Sequence, residues 1–95
     1  MISERKKIRF GFLVETMWQI SGIDPLEKSR RRDVVTARML ISKAMIDEGM
    51  THSEIGELLG CDHSTVAHHA KNFNNIFSSG WAAERELWEK FKKEI

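Results

Sequence analysis

Tyrosine is absent from this 95-residue chain, and cysteine and proline occur once each. A single thiol, Cys61, closes no internal disulfide, which fits a reducing compartment and sets aside the disulfide-stapled secreted folds. One proline, Pro25, and few alternating β-branched stretches leave strands with little support and helices with few breakers. No run of roughly eighteen apolar residues exists, so no membrane span is expected. The basic start, Arg5 to Arg9, followed by the apolar-rich Phe10 to Ile20, imitates a signal peptide, but Glu15 and Gln19 interrupt it and no small-residue cleavage site follows. It reads as a helix, and the expected location is the cytoplasm.

What is present suffices for one small domain, residues 1–95. The apolar fraction, 41%, is ordinary for a globular protein, and a chain this long buries somewhat over ~60% of its unfolded surface. Net charge is only +1, but it is unevenly placed. Residues 1–43 hold ten Lys/Arg against five Asp/Glu, and residues 44–95 hold five against nine, balances of +5 and −4. That asymmetry implies one basic face, as a nucleic-acid partner would require.

The organising stretch is Thr51 to Ala70. Thr51 with Glu54 makes a capping box, so a helix starts near His52, carries Ile55, Leu58 and Leu59 inward, and ends at Gly60. Asp62 offers a second N-cap, and Val66, Ala70, Phe73 and Phe77 form the apolar stripe of the next helix. A helix-turn-helix needs a small residue at the crossing, a residue tolerant of positive φ at the turn, and an apolar anchor. Gly56, Gly60 and Val66 supply these in order, although the position three after Val66, usually apolar in such units, carries His69. At about 100° per residue, Ser64, His68, Lys71 and Asn75 point away from the stripe and present a polar front.

The flanking regions complete an all-α reading of about five helices. A first helix spans Ser3 to Ile20 with Phe10, Leu13, Val14, Met17 and Trp18 as its apolar face. Ser21-Gly22 closes it, and Ile23-Asp24-Pro25-Leu26 turns the chain. The cluster Lys28 to Asp33 leads into a long helix ending near Asp47, with Val34, Val35, Ala37, Arg38, Leu40, Ile41, Ala44 and Met45 largely inward. Ser78-Ser79-Gly80 reads as a break, and Trp81, Leu87, Trp88, Phe91 and Ile95 stripe a last helix over 81–93. That helix either packs back on the first or supplies a dimer contact.

Three segments resemble the C-terminal DNA-binding domain of DnaA, the bacterial replication initiator. Lys28-Ser29-Arg30-Arg31-Arg32-Asp33-Val34-Val35-Thr36-Ala37-Arg38 is similar to its basic loop and following helix. Ser53-Glu54-Ile55-Gly56 is similar to its first helix-turn-helix element, and Asp62-His63-Ser64-Thr65-Val66-Ala67-His68 to its signature. The likeness covers about residues 23–77 and implies a Trp-repressor-like bundle in a bacterial or phage-related protein. It implies that Asp62, His63 and Ser64 read bases in the major groove, and that Thr65 and Arg38 hold phosphate. Arg32, with Arg30 and Arg31 as neighbours, becomes the minor-groove arginine. His68 and Lys71 extend the same front. Asp62 is equally readable as only the N-cap. In the family the turn runs Gly-Gly-Arg-Asp-His; here it is one residue shorter, Gly60-Cys61-Asp62-His63, without the arginine. Ser64 stands for a Thr, and Met39 for the Gln that follows the arginine matched by Arg38. No Gly-rich Lys-Ser/Thr phosphate loop occurs.

The contact set makes sense on physical grounds as well. Arginines supply phosphate attraction or enter a narrow minor groove, while a polar helix front reaches base edges in the major groove. The expected function is therefore sequence-specific binding of double-stranded DNA, in replication initiation or transcription. No enzyme activity, cofactor or metal is expected. Cys61, His63, His68 and His69 lie within nine residues, yet on a helix His63 and His68 are about 500° apart and share no face. Cys61 with His63 lacks the surroundings of a nucleophilic pair. The rival reading is a protein-interaction module that binds an initiator or self-associates through its tryptophan-bearing last helix.

Overall fold

The computed structural model describes residues 2–79 and 82–95, apart from the side chains of residues 77–79. The described residues form five α-helices and no strand: α1 (Glu4–Ser21), α2 (Arg32–Asp47), α3 (His52–Leu59), α4 (His63–Ser79) and α5 (Ala82–Glu94). Among them no helix is long and apolar enough to cross a membrane. Helix ends follow short-range chemistry. The Ser3 hydroxyl accepts from the Lys6 amide at the start of α1, and Gly22, at φ 72°, closes it. Asp24 then holds the turn before α2: its carboxylate accepts from the Leu26 amide at 2.9 Å, and its carbonyl accepts from the Glu27 amide at 3.1 Å.

The central element is α2, which packs against α1, α3 and α4, while α5 closes the bundle by lying on α1 and α4. One apolar core runs through all of them, with Leu13 and Met17 from α1, Leu40, Ile41 and Met45 from α2, Ile55 from α3, Val66 and Phe73 from α4, and Trp88 and Phe91 from α5. Each such side chain contributes about 1.5–3 kcal/mol by leaving water. The last helix packs internally: the Trp88 ring meets Phe73 edge-on at 4.9 Å between centroids, and Phe91 is fully buried. Two ion pairs, Lys6 with Glu54 at 2.8 Å and Arg9 with Glu48 at 2.9 Å, tie the first turns of α1 to the start of α3 and the end of α2.

Three details differ from the sequence reading. Trp18 is 55% exposed. The fully buried line of α1 runs through Leu13, Thr16 and Met17, with Phe10, Val14 and Ile20 packed beside it on the core, and Trp18 falls about 100° beyond Met17. Next, α4 buries Val66, His69, Phe73 and Ile76, with Ala70 half-buried. His69 and Ile76 border the same cleft as Val35 and Met39 of α2, so packing against α2 turned the stripe toward that side. Met39, which stands where the resembled family carries Gln, is a core residue. Finally, α4 continues through Ser78 and Ser79, because serine is only weakly unfavourable in a helix held by tertiary packing. The expected stripe positions of Trp81 and of the Phe77 side chain, and the break at Gly80, lie outside the described residues.

Candidate nucleic-acid interface

The α3–turn–α4 unit is built by caps and one close approach. The Thr51 hydroxyl accepts from the Glu54 amide at 3.1 Å while the Glu54 carboxylate accepts from the Thr51 amide at 3.0 Å, a complete capping box. Lys6 and these bonds hold the Glu54 carboxyl below its ordinary range. Gly60 ends α3 at φ 77°, a conformation L side chains rarely take. Gly56 meets the far side of the turn, where the Cys61 amide donates to its carbonyl at 2.9 Å. A Cβ on Gly56 would stand 2.5 Å from the Cys61 carbonyl oxygen, so only glycine fits there without a shift of the backbone.

Asp62 caps α4 and draws its first turn inward. One carboxylate oxygen accepts from the Ser64 hydroxyl at 2.6 Å, the Thr65 amide at 3.0 Å and the Thr65 hydroxyl at 3.2 Å. These bonds push the Asp62 carboxyl below its usual range. The Ser64 and Thr65 hydroxyls thus spend their protons locally and keep lone pairs to accept hydrogen bonds from outside. His63, Ser64, Ala67, His68 and Lys71 all lie exposed on the outer side of α4. Ser64, His68, Lys71 and Asn75 of the expected polar front are all exposed.

The basic loop before α2 is organised by Arg38. Its Nε donates to the Pro25 carbonyl at 2.8 Å and its Nη2 to the Glu27 carbonyl, so one planar fork ties the loop to α2. Arg38 is half-buried and acts as the anchor of the loop. The three arginines differ. Arg31 pairs with Glu27 at 3.0 Å and with Asp33 at 3.5 Å. Arg32 is the first residue of α2 and pairs with Glu84 of α5 at 3.3 Å. Among the described residues Arg30 makes no ion pair, and neither does Lys28. Exposed pairs such as those of Arg31 and Arg32 are worth about 0–1 kcal/mol.

Loop and turn border a shared cleft of about 510 Å³, lined by Lys28, Ser29, Arg30, Arg38, Gly60, Cys61, Thr65 and His69. Arg30 also borders the second cleft, of about 440 Å³, between α2 and α4. It stands on the ridge between them. His69 is buried at 7% exposure where the two clefts meet. Burial lowers its pKa, and the nearby His68 and Arg38 lower it further, so it carries no charge at neutral pH. Burial and Asp62 raise the Cys61 thiol, against a weaker opposing effect of Arg38, so it holds its proton. Among the described residues no three His, Cys, Asp or Glu side chains gather as a metal-holding group.

The structure therefore brings Arg30, Arg38, Thr65 and His69 to one cleft, with His63, Ser64, His68 and Lys71 on the adjoining helix front. Arg31 lies to the side, against carboxylates, while Arg32 pairs with Glu84 and borders the second cleft with Arg30 and His69. Sequence reasoning missed Lys28 as a cleft residue, His69 as the seam and Glu84 as the partner of Arg32. Lys28 belongs to the same basic run and was within reach; the pairing with Glu84, 52 residues away, carried no local signal. No family model matches the chain, and no curated protein or solved structure matches it either.

Proposed function

We propose that this chain binds double-stranded DNA sequence-specifically, as a relative of the DnaA C-terminal domain, in the control of replication initiation or transcription. The carrying observation is a single cleft that brings Lys28 and Arg30, which make no ion pair among the described residues, to Thr65 of α4, beside the exposed His63, Ser64, His68 and Lys71 of that helix. In this reading α4 enters the major groove, His63 reaches a base edge and His68 and Lys71 continue the contact. Lys28 and Arg30 take the adjacent backbone or minor groove. Arg30 replaces Arg32 as the leading loop arginine, since it is the one without a carboxylate partner among the described residues. Asp62 at the start of α4 disfavours a phosphate there, which moves phosphate binding onto the loop.

The test is selection of bound sequences from random duplex DNA, followed by titration of variants on selected and scrambled duplexes at several salt concentrations. His63→Ala should cost about 1–3 kcal/mol on the selected site and little on the scrambled one. Lys28→Ala should weaken both about equally and lower the log–log salt slope by roughly one. Arg30→Ala should exceed Arg32→Ala in its effect. Absence of salt-dependent duplex binding would overturn the proposal.

A further inference from the structure

Among the described residues, the four large apolar side chains left exposed all fall between residues 8 and 26: Ile8 at 67%, Trp18 at 55%, Phe12 at 45% and Leu26 at 43%. Ile8, Gly11, Phe12, Glu15 and Trp18 follow helical spacing and share the outer face of α1, opposite Leu13 and Met17. Aromatic side chains carry about 150–250 Å² each, so Phe12 and Trp18 alone leave roughly 200 Å² of ring in water. Gly11 stands within this stripe. A methyl group there would meet nothing within 4 Å, so no contact inside the protomer calls for glycine in mid-helix, where it is unfavourable. A helix approaching from outside would use the missing side chain.

We infer that this face of α1 docks on the same face of a second copy of the chain, with the two helices antiparallel. Charge selects that occupant. Glu15 lies in the middle of the apolar stripe, where docking would bury a carboxylate. Arg5 and Lys7 flank the stripe about two to three turns before Glu15, exposed and without an ion pair among the described residues. In an antiparallel pair with its two-fold axis between Gly11 and Phe12, residue 15 of one copy lies level with residue 8 of the other. Glu15 then falls beside the other copy's Ile8, between its Arg5 and Lys7, twice over by symmetry. A parallel pair would set Glu15 against Glu15. The same arrangement brings Trp18 to the first turn of the other copy, within reach of Lys7 for a cation–π contact. One helix per subunit makes a contact at the small end of the interface range, below about 1,200 Å² in total, so association is weak and reversible. The inference stands independently of DNA binding.

Sedimentation equilibrium over a wide concentration range tests it. The expected result is a monomer–dimer equilibrium that Phe12→Glu weakens at least about tenfold. Glu15→Lys should weaken it similarly, and the triple variant Arg5→Glu, Lys7→Glu, Glu15→Lys should restore it. Gly11→Ala separates the role from a structural one: it should raise the thermal stability of dilute monomer while weakening the dimer. All these positions are exposed, and circular dichroism checks that each variant is helical. A monomer at every concentration overturns the inference and leaves the face for a different protein. A dimer indifferent to Glu15→Lys overturns the antiparallel arrangement.

Discussion

The turn between α3 and α4 and the loop between α1 and α2 border the same cleft, but they are held in opposite ways. The turn is fixed by backbone. Gly60 takes a left-handed conformation, the Cys61 amide donates to Gly56, and Gly56 leaves no room for a side chain. The loop is held by side chains, with Pro25 fully buried, Ile23 against the core and the Arg38 fork on the Pro25 and Glu27 carbonyls, while residues 27–31 have otherwise only short turns of their own such as Ser29 to Glu27. A reading helix gains from rigidity because base recognition is geometric. A cationic arm that follows a phosphate backbone gains from freedom to adjust. The exposed pair of Arg31 with Glu27 fits the second case, since it can be given up to phosphate at little cost, whereas giving up the Arg32 pair would leave the mostly buried Glu84 carboxylate uncompensated.

The comparison can be broken most directly at Gly56. Alanine there improves helix propensity by about 1 kcal/mol but pushes a methyl group onto turn backbone, and overpacking of that kind costs about 1–3 kcal/mol or more. Gly56→Ala should therefore lower the urea midpoint of unfolding; unchanged or higher stability would mean that the turn yields and is no more rigid than the loop.

Arg38→Ala attacks the other side. Losing charge-assisted bonds to two carbonyls from a half-buried side chain should cost about 1–2 kcal/mol. The sharper readout is amide exchange. Protection should fall across residues 24–31 and remain in α3 and α4. Arg38→Lys should not rescue it, because an ammonium lacks the planar fork. Loss of protection in α4 as well would show that turn and loop are one unit.

Asp62→Ala removes the cap of α4 and frees the Ser64 and Thr65 hydroxyls. The melting temperature should drop by less than in Arg38→Ala, and Asp62→Asn should restore most of it. If Asp62→Asn leaves stability intact but changes the preferred base at one position, Asp62 reads DNA besides capping.

The smallest effect tests the seam. Unfolded, the His69 imidazole takes up its proton near its ordinary value of 6.5; folded, it does so only at lower pH. The unfolded state therefore binds more protons over that interval, and stability is full above about pH 7 and falls as pH drops through 6.5. His69→Leu should flatten the dependence of melting temperature between pH 7.5 and 5.5. Glu54 and Asp62, whose pKa values are also lowered, act in more acidic solution, below their ordinary values of 4.5 and 3.8. An unaltered slope in His69→Leu would place the sensitivity elsewhere.

Much of the α3–α4 unit was legible because its determinants sit within four residues of one another. Thr51 with Glu54, Gly60, and Asp62 with Thr65 each act across a single turn, and the helices begin and end where these residues stand. The candidate interface was legible only in part. The polar front of α4 follows from periodicity about Val66, but the ranking of the arginines does not, since Arg30, Arg31 and Arg32 are chemically alike and adjacent. The carboxylates near them decide, and only some of those are local.

The amino-acid sequence by itself determined the helices, their caps, the short turn and the basic run, all properties of nearest neighbours along the chain. Tertiary structure decided which apolar side chains went inside. His69 went in because α2 packs on that side of α4, and Trp18 stayed out because α1 turns the side centred on Leu13 and Met17 to the core. It also decided which loop arginine has no ion pair among the described residues, by bringing Glu84 to Arg32 from 52 residues away. Contacts across such a separation depend on how the helices pack, and no local pattern encodes that packing.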